Sequence, residues 1–341
     1  MANLISFDEA IKQSGEGKRH VLLGNGFSRA CRNDLFAYDA LYAKAQGSLT
    51  PSTKNAFDAL GTTDFESVMR ALKQAAVLVA AYLPKNKTLA KKLKEDANKL
   101  RDILASVIAQ NHPDRPNSIK DAEFAACRRF LRNFESIYTL NYDLLLYWAL
   151  MHDQDKGAPI ECNDGFRQPE NGPQDYVEWE VGGVSQNIFY LHGGLHIFDA
   201  GAVIQKYTWC NTGIALVEQI RKALEEDRYP IYVAEGSSES KMERIQHSAF
   251  LSRAYRSLAN IGGTLFVYGH SLATNDDHVL RLIGRGKVEN LFVSIFGDPT
   301  SKENRQIMAR AQMLVNDRKM PQRRNGLQVH FFDATSASIW S

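Results

Sequence analysis

An α/β fold built on a mostly parallel sheet follows from three features of the sequence. Short apolar runs recur at Val21–Leu23, Ser136–Leu140, Asn187–Leu191, Ile231–Ala234, Thr264–Tyr268, Leu291–Phe296 and Leu327–Phe332. Most are separated by segments with helical apolar spacing, the pattern of βαβ units. A parallel sheet is buried on both faces, which is why these runs do not alternate apolar with polar. The third feature is a glycine-bearing junction directly after the first run, GNGFS at residues 24–28. The expectation is one domain over residues 1–341, a Rossmann-like, doubly wound sheet with a helical insertion.

The interval between the first two runs is too long for one crossover. Phe65, Val68, Met69, Leu72, Ala76 and Val79 fall at helical spacing, and Leu89, Leu93, Ala97, Leu100, Leu104 and Val107 repeat it after Pro84. Residues 50–133 therefore read as a helical insertion beside the sheet, with the Lys-rich stretch Lys85–Lys99 as a solvated face. Residues 153–186 are rich in Gly, Pro, Asn and Asp and read as a long irregular loop, a length typical of functional covers or mobile segments.

Composition excludes several classes. Forty-one basic residues against thirty-nine acidic ones give a net charge of +2, so no global field favours nucleic acid. The first residues, MANLISFDEAIKQ, show no basic region followed by a long apolar run, so no signal peptide is expected, and no run approaches the roughly 20 apolar residues of a membrane span. A cytoplasmic protein without a membrane partner is expected. Cys31, Cys127, Cys162 and Cys210 form no CxxC pair, so reduced thiols and no metal are expected.

Four strand ends carry candidate chemistry. In VLLGNGFS, residues 21–28, Gly24 and Gly26 allow a tight turn with close backbone approach to a phosphate, with Asn25, Phe27 and Ser28 opening a helix. The dehydrogenase fingerprint is incomplete: Arg29 stands where a third glycine belongs, and no carboxylate lies in the Leu41–Ala45 region. In YTLNYD, residues 138–143, Asn141 and Asp143 sit at a strand end, where each also suits a helix cap. In FYLHGG, residues 189–194, His192 is a candidate base, and Gly193 and Gly194 leave room for a ligand. His196 competes with it, or is an exposed strand residue. In FVYGHSL, residues 266–272, Gly269 and Ser271 suit a nucleoside, with Asp276 or Asp277 beyond them.

Taken in order, these junctions resemble the sirtuin-like NAD-consuming superfamily, in its zinc-free bacterial branch. GNGFS resembles the GAGxS loop, TLNYD the TxNYD element, LHG the catalytic histidine-glycine pair and GHSL the later GxSL loop. The segment from YPIYVAEG through GHSLATNDDH is similar to a bacterial subgroup of that superfamily. Asn25 departs from the small residue usual between the first two glycines. The missing CxxC pairs point away from protein deacylation.

The resemblance implies NAD as substrate, bound by Gly24, Asn25, Gly26, Phe27, Ser28, Gly193, Gly269, Ser271 and Asp276. It implies hydrolysis of the nicotinamide–ribose bond by Asn141, His192 and Asp143, and a role in antiviral defence. A sensor binding NAD or ADP-ribose without cleavage, or an ADP-ribosyl transferase, is the alternative. Homo-oligomerisation and an activating protein are left open as partners.

Overall fold

The computed structural model describes residues 4–152, 160–172, 174–180, 185–208, 213–226, 228–233, 237–318 and 326–341. Helix α1 (Phe7–Gln13) starts at a capping box in which Ser6 and Glu9 satisfy each other's backbone amides, and it leads into β1 (Arg19–Leu23). Helices α2 (Asn25–Cys31), α3 (Asn33–Phe36), α4 (Tyr38–Ala45), α5 (Pro51–Leu60), α6 (Phe65–Tyr82), α7 (Lys87–Asn111) and α8 (Asp121–Leu131) then fill the long interval before β2 (Ser136–Thr139). The expected insertion is therefore helical, and the helices begin well before residue 50.

Its apolar stripe is buried from Phe65 to Ala76 and from Ala97 to Val107, while Tyr82, Leu83 and Leu89 at the far end of the α6–α7 pair are exposed. Lys85, Lys87, Lys91, Lys92, Lys94 and Lys99 all face solvent.

After β2 come α9 (Leu145–Met151), β3 (Phe166–Arg167), β4 (Tyr176–Trp179), β5 (Ile188–Tyr190), β6 (Gly193–Asp199), β7 (Ile204–Tyr207), α10 (Leu216–Glu225) and β8 (Pro230–Tyr232). The chain closes with α11 (Ser238–His247), α12 (Ala249–Asn260), β9 (Gly262–Tyr268), α13 (Asp277–Arg285), β10 (Lys287–Ile295), α14 (Lys302–Arg318) and β11 (Gln328–Asp333). No described helix is long and apolar enough to cross a membrane.

The main sheet has the order β11-β10-β9-β1-β2-β5, and all its pairings are parallel. Both faces are covered, and neighbouring residues of a strand enter different cores. Val21 and Leu23 of β1 and Phe266 of β9 pack on one side with Phe7, Phe27 and Phe130. Leu22, Leu265 and Val267 pack on the other with Leu258, Val279 and Leu314. That is the doubly wound α/β arrangement expected from uniformly apolar runs.

A second sheet, β3-β4-β7-β6-β8, is antiparallel throughout. It corrects two expectations. The 153–186 region is not wholly irregular, since β3 and β4 lie in it; residues 153–159, 173 and 181–184 fall outside the described residues. The Ile231–Ala234 run contributes β8 to this antiparallel sheet, with Ala234 outside the described residues.

Numbered by first appearance, the main sheet runs 3-2-1-4-5-6. The chain leaves β1 on one side for β2 and β5, then returns on the other with β9. The crevice beyond the carboxyl ends of β1 and β9 is thus the topological switch point, where open α/β sheets take their ligands.

Candidate functional site

Gly24 and Gly26 lie at that switch point against the turn after β9. The Gly24 amide donates to Tyr268 O at 2.9 Å and the Gly26 amide to Gly269 O at 2.8 Å, while the Phe27 amide donates to Gly24 O. A Cβ on Gly24 would lie 2.6 Å from Gly269 O, and one on Gly26 would lie 2.5 Å from Gly269 Cα. The glycines are thus required by loop-to-loop backbone packing, and these three amides are engaged by protein. Asn25 caps Phe36 O with its side chain. Phe27 is core: its ring contacts Trp340, whose indole donates to Phe27 O at 3.0 Å.

Asn141 and Asp143 follow β2 and close a network with Ser28. Asn141 Nδ2 donates to Gly24 O at 3.0 Å and to Ser28 Oγ at 2.9 Å. A carbonyl oxygen only accepts, so this fixes which end of the amide is nitrogen and leaves Oδ1 as the remaining acceptor. Ser28 Oγ donates onward to Asp143 Oδ2 at 2.5 Å. Asp143 Oδ1 accepts from the Leu145 amide two residues on, a local turn bond rather than the N-cap expected of it, since Leu144 holds the cap position of α9. Burial pushes the Asp143 carboxyl above its ordinary range, partly opposed by the Ser28 bond.

His192 follows β5, and the Leu191 amide donates to Thr139 O, so the ends of β5 and β2 are adjacent. The imidazole is 3% exposed and sits in a polar cluster. Its Nε2 lies 3.1 Å from Nε2 of His278 and 3.9 Å from Asp276 Oδ1. Asp276 Oδ1 accepts from the buried Lys241 at 3.0 Å, and its Oδ2 accepts from His270 Nε2 at 3.0 Å. The Leu272 amide donates to His270 Nδ1, which places the His270 proton on Nε2. Burial raises the Asp276 carboxyl, but His270, Lys241 and His192 together hold it well below the carboxylate range. Burial first, then Lys241, holds His192 well below its usual value.

The expected adenosine-side residues divide. Gly269 takes a left-handed φ of 68° in the loop-to-loop contact, and Leu272, also left-handed, keeps the turn compact. Ser271 is exposed, whereas Asp276 is buried in the histidine cluster. Gly193 does not leave ligand space: its Cβ would lie 2.0 Å from Ile231 O, so glycine there permits the β6–β8 contact. The space beside Gly194 is taken by the His196 ring. His196 is fully buried rather than exposed, packed against Tyr147 and Tyr190, and neither of its ring nitrogens has a partner among the described residues.

Sequence reasoning missed Lys241, His270 and His278. Lys241 lies in the polar segment SESKMER, which resembles any solvated helix. His270 and His278 flank motif residues that were singled out, and only tertiary structure joins them to His192.

His192, Asp276 and His278 have the composition of a divalent-metal site, with donor atoms within 4.8 Å of one another. Their geometry is that of hydrogen bonds. The two rings lie within 17° of parallel, with centroids 5.3 Å apart and nitrogens 3.1 Å apart, so the nitrogens point at each other. Imidazoles binding one ion would instead aim at a common point off that line. Both Asp276 oxygens already accept hydrogen bonds, one of them from a cation. Metal analysis is expected to find no stoichiometric zinc, and a chelator to leave the chemistry of the site unchanged. Stoichiometric metal lost together with activity would overturn this reading.

Fold and site together define an α/β protein with a buried polar centre at the switch point of a Rossmann-like sheet. The chain belongs to the family described as Domain of unknown function (DUF4917), whose match covers residues 21–340 and so includes all four strand ends. No curated protein matches the chain.

Proposed function

We propose that this protein hydrolyses NAD+ at the nicotinamide–ribose bond, giving nicotinamide and ADP-ribose without a metal. The observation that carries this reading is a convergence at the switch point of a 3-2-1-4-5-6 sheet: the oriented Asn141 amide, the Ser28–Asp143 pair, and His192 on the neighbouring strand end. Dinucleotides bind at that place in such sheets, and the resemblance to sirtuin-like NAD-consuming proteins rests on the same residues.

The chemistry asks little of the protein. Nicotinamide leaves a pyridinium as a neutral ring and needs no proton. The site must hold the ribose, favour an oxocarbenium-like carbon and position water. Asn141 Oδ1 is the acceptor for that water or for a ribose hydroxyl. His192, kept neutral by burial, is in the form that accepts a proton, and Asp276 favours the imidazolium once formed. Asp143 holds Ser28, and through it Asn141, in place. Gly24–Ser28 and the Gly269–Ser271 turn would hold the phosphates and adenosine. Because their backbones are packed together, the two turns must part to admit a dinucleotide. NAD+ depletion in antiviral defence is the role proposed with this activity.

The test is to incubate purified protein with NAD+ and identify the products chromatographically. Nicotinamide with free ADP-ribose is the expected result. ADP-ribose attached to another acceptor would make the protein a transferase, and binding without nicotinamide release would make it a sensor.

A further inference from the structure

The far end of the α6–α7 pair protrudes as an apolar tip. Every residue from Ala80 to Leu89 is exposed. Val77, Leu78, Tyr82 and Leu83 are 64, 59, 83 and 53% exposed, whereas the other end of the same helix buries Phe65, Val68 and Met69. Residues 74–84 carry no charge, and from Ala75 to Pro84 the Tyr82 hydroxyl is the one polar side-chain group. The turn is held by its own bonds: the Asn86 amide donates to Leu83 O at 2.8 Å, and Asn86 Oδ1 accepts from the Leu89 amide at 3.2 Å. Apolar surface held out to solvent in this way marks a contact with something outside the chain.

Lysines border this tip. Lys85, Lys87, Lys91, Lys92 and Lys94 are all exposed and fall in a stretch, residues 85–94, with no acidic residue. Lys87, Lys91 and Lys94 share one face of α7 at i, i+4, i+7 spacing. They crowd the N-terminal end of α7, where the helix dipole disfavours cations and the first turn holds no acidic residue. Helix stability therefore does not account for them. Lys91 meets Glu95 at 3.4 Å and Lys92 Nζ donates to Ser52 Oγ at 3.3 Å, both in exposed, weak contacts. The whole chain carries a net charge of only +2, so outside this stretch it is acidic on balance. A negatively charged surface would draw the molecule in tip first.

We propose that the α6–α7 tip docks the protein on a bilayer surface rich in anionic lipid. Leu78, Tyr82 and Leu83 enter the boundary between headgroups and acyl chains, and the lysines meet the headgroup anions. Apolar side chains beside a lysine-rich face are what interfacial helices present, and tyrosine suits the boundary itself. Each lysine near an anionic leaflet adds to the attraction. Such docking needs no span, and no described helix is long and apolar enough for one. The bilayer is thus a peripheral partner, where the sequence led us to expect none. Two other occupants suit the tip less. A second copy related by a two-fold axis would set one lysine cluster against the other. A folded acidic partner brings hydrogen bonds to its contact, for which the apolar run offers only the Tyr82 hydroxyl.

Helix α7 separates this contact from the candidate site. Its other end is capped by His112, whose Nε2 accepts from the Leu144 amide beside Asp143. Twenty-five helical residues at 1.5 Å each span roughly 37 Å. Docking at the tip therefore leaves the switch-point crevice uncovered, and it is independent of the NAD+ chemistry.

The test is co-sedimentation of the full chain with vesicles of phosphatidylcholine alone, and of phosphatidylcholine mixed equally with phosphatidylserine. The protein should pellet with the mixed vesicles and not with the neutral ones, and added salt should release it. Combining Lys87→Gln, Lys91→Gln and Lys94→Gln should lower partitioning roughly tenfold or more. Combining Tyr82→Ser and Leu83→Ser should lower it by a similar factor. All five side chains are exposed, so both variants should keep the parental unfolding temperature. Equal pelleting with the two kinds of vesicle, unchanged pelleting of either variant, or no pelleting at all would overturn the proposal. In the last case, a dimer that Tyr82→Ser with Leu83→Ser dissociates would assign the tip to self-association. Retention on immobilised polyglutamate that the lysine variant loses would assign it to an acidic protein.

Discussion

His192→Ala and Asn141→Ala should each still bind NAD+ while releasing nicotinamide roughly 10²–10⁴-fold more slowly, the usual scale for losing a positioned acid–base group. Binding should survive because the proposed function assigns the phosphates and adenosine mainly to the Gly24–Ser28 and Gly269–Ser271 turns. For Asn141 the loss has a structural component as well. Its amide ties Gly24 O and Ser28 Oγ together, and deleting it leaves both without that donor. Gly24 O keeps the Phe27 amide and Ser28 Oγ keeps Asp143, so each lost hydrogen bond should cost only about 0.5–1.5 kcal/mol, and thermal unfolding must accompany the kinetics. The two residues serve one reacting centre, and the double variant should be little slower than the slower single one.

The control is His196. Its buried nitrogens lack partners, so an alanine there would leave a cavity, whereas His196→Leu fills the space without stranding a polar group. That variant should fold and turn over as the parent does. Single-turnover nicotinamide release decides the matter: a dead His196→Leu beside a fully active His192→Ala would move the base to the other histidine.

The main sheet was legible because its strands are apolar on both faces, so β1, β2, β9, β10 and β11 announce themselves as runs. The second sheet was not. Its β3 and β4 are two and four residues long and only partly buried, so they carry neither a run nor a clean alternation. β6 begins with two glycines that suggested a loop, and β8 has the apolar character of a parallel strand while pairing antiparallel.

At the site, the sequence located the four strand ends, and the structure joins Ser28, Asn141 and Asp143 in one network and His192 and Asp276 in another. The glycines meet a packing demand that the sequence does not reveal. A Gly-Asn-Gly turn looks the same whether the neighbour is a phosphate or the backbone of Gly269, and a Gly after histidine looks the same whether it faces a ligand or Ile231. The exposure of His196 was misjudged for a related reason. Alternation along β6 says nothing of Tyr147 and Tyr190, which arrive from other elements to bury it. Lys241 and His278 are 49 and 86 positions from His192, so no local pattern could have paired them.

Acid should unfold this protein well above the pH at which its carboxylates titrate, because it buries several histidines in neutral form. Burial lowers His112 and His278 to about 4 and holds His192 and His196 well below their usual value. The unfolded chain takes up these protons near pH 6.5 and the folded protein only at lower pH. Between those values the unfolded state binds more protons, so stability is complete above about pH 6.5 and is lost as the pH falls towards 4. Each such histidine contributes up to about 1.4 kcal/mol per pH unit, so His112 and His278 alone give about 2–3 kcal/mol per unit against a typical total of about 5–15 kcal/mol. Asp143 acts in the opposite sense. Its carboxyl is raised in the fold, so the stability it contributes is present at low pH and lost as the pH rises through its folded value. One carboxyl does not offset four histidines. Asp276, held low, loses its contribution only as the pH falls below the usual carboxylate range.

His112 makes the effect local to the site. Its Nδ1 faces Pro113 O at 3.1 Å, and its Nε2 accepts from the Leu144 amide at 3.1 Å. A second proton on Nε2 would abolish that bond and release the turn that carries Asn141 and Asp143. Thermal unfolding followed from pH 7 to pH 4 should show a steadily falling Tm, with a shallower fall in His112→Gln, whose amide oxygen can still accept from Leu144 but does not titrate. A Tm that stays level across that range would mean these histidines are not neutral and buried in solution.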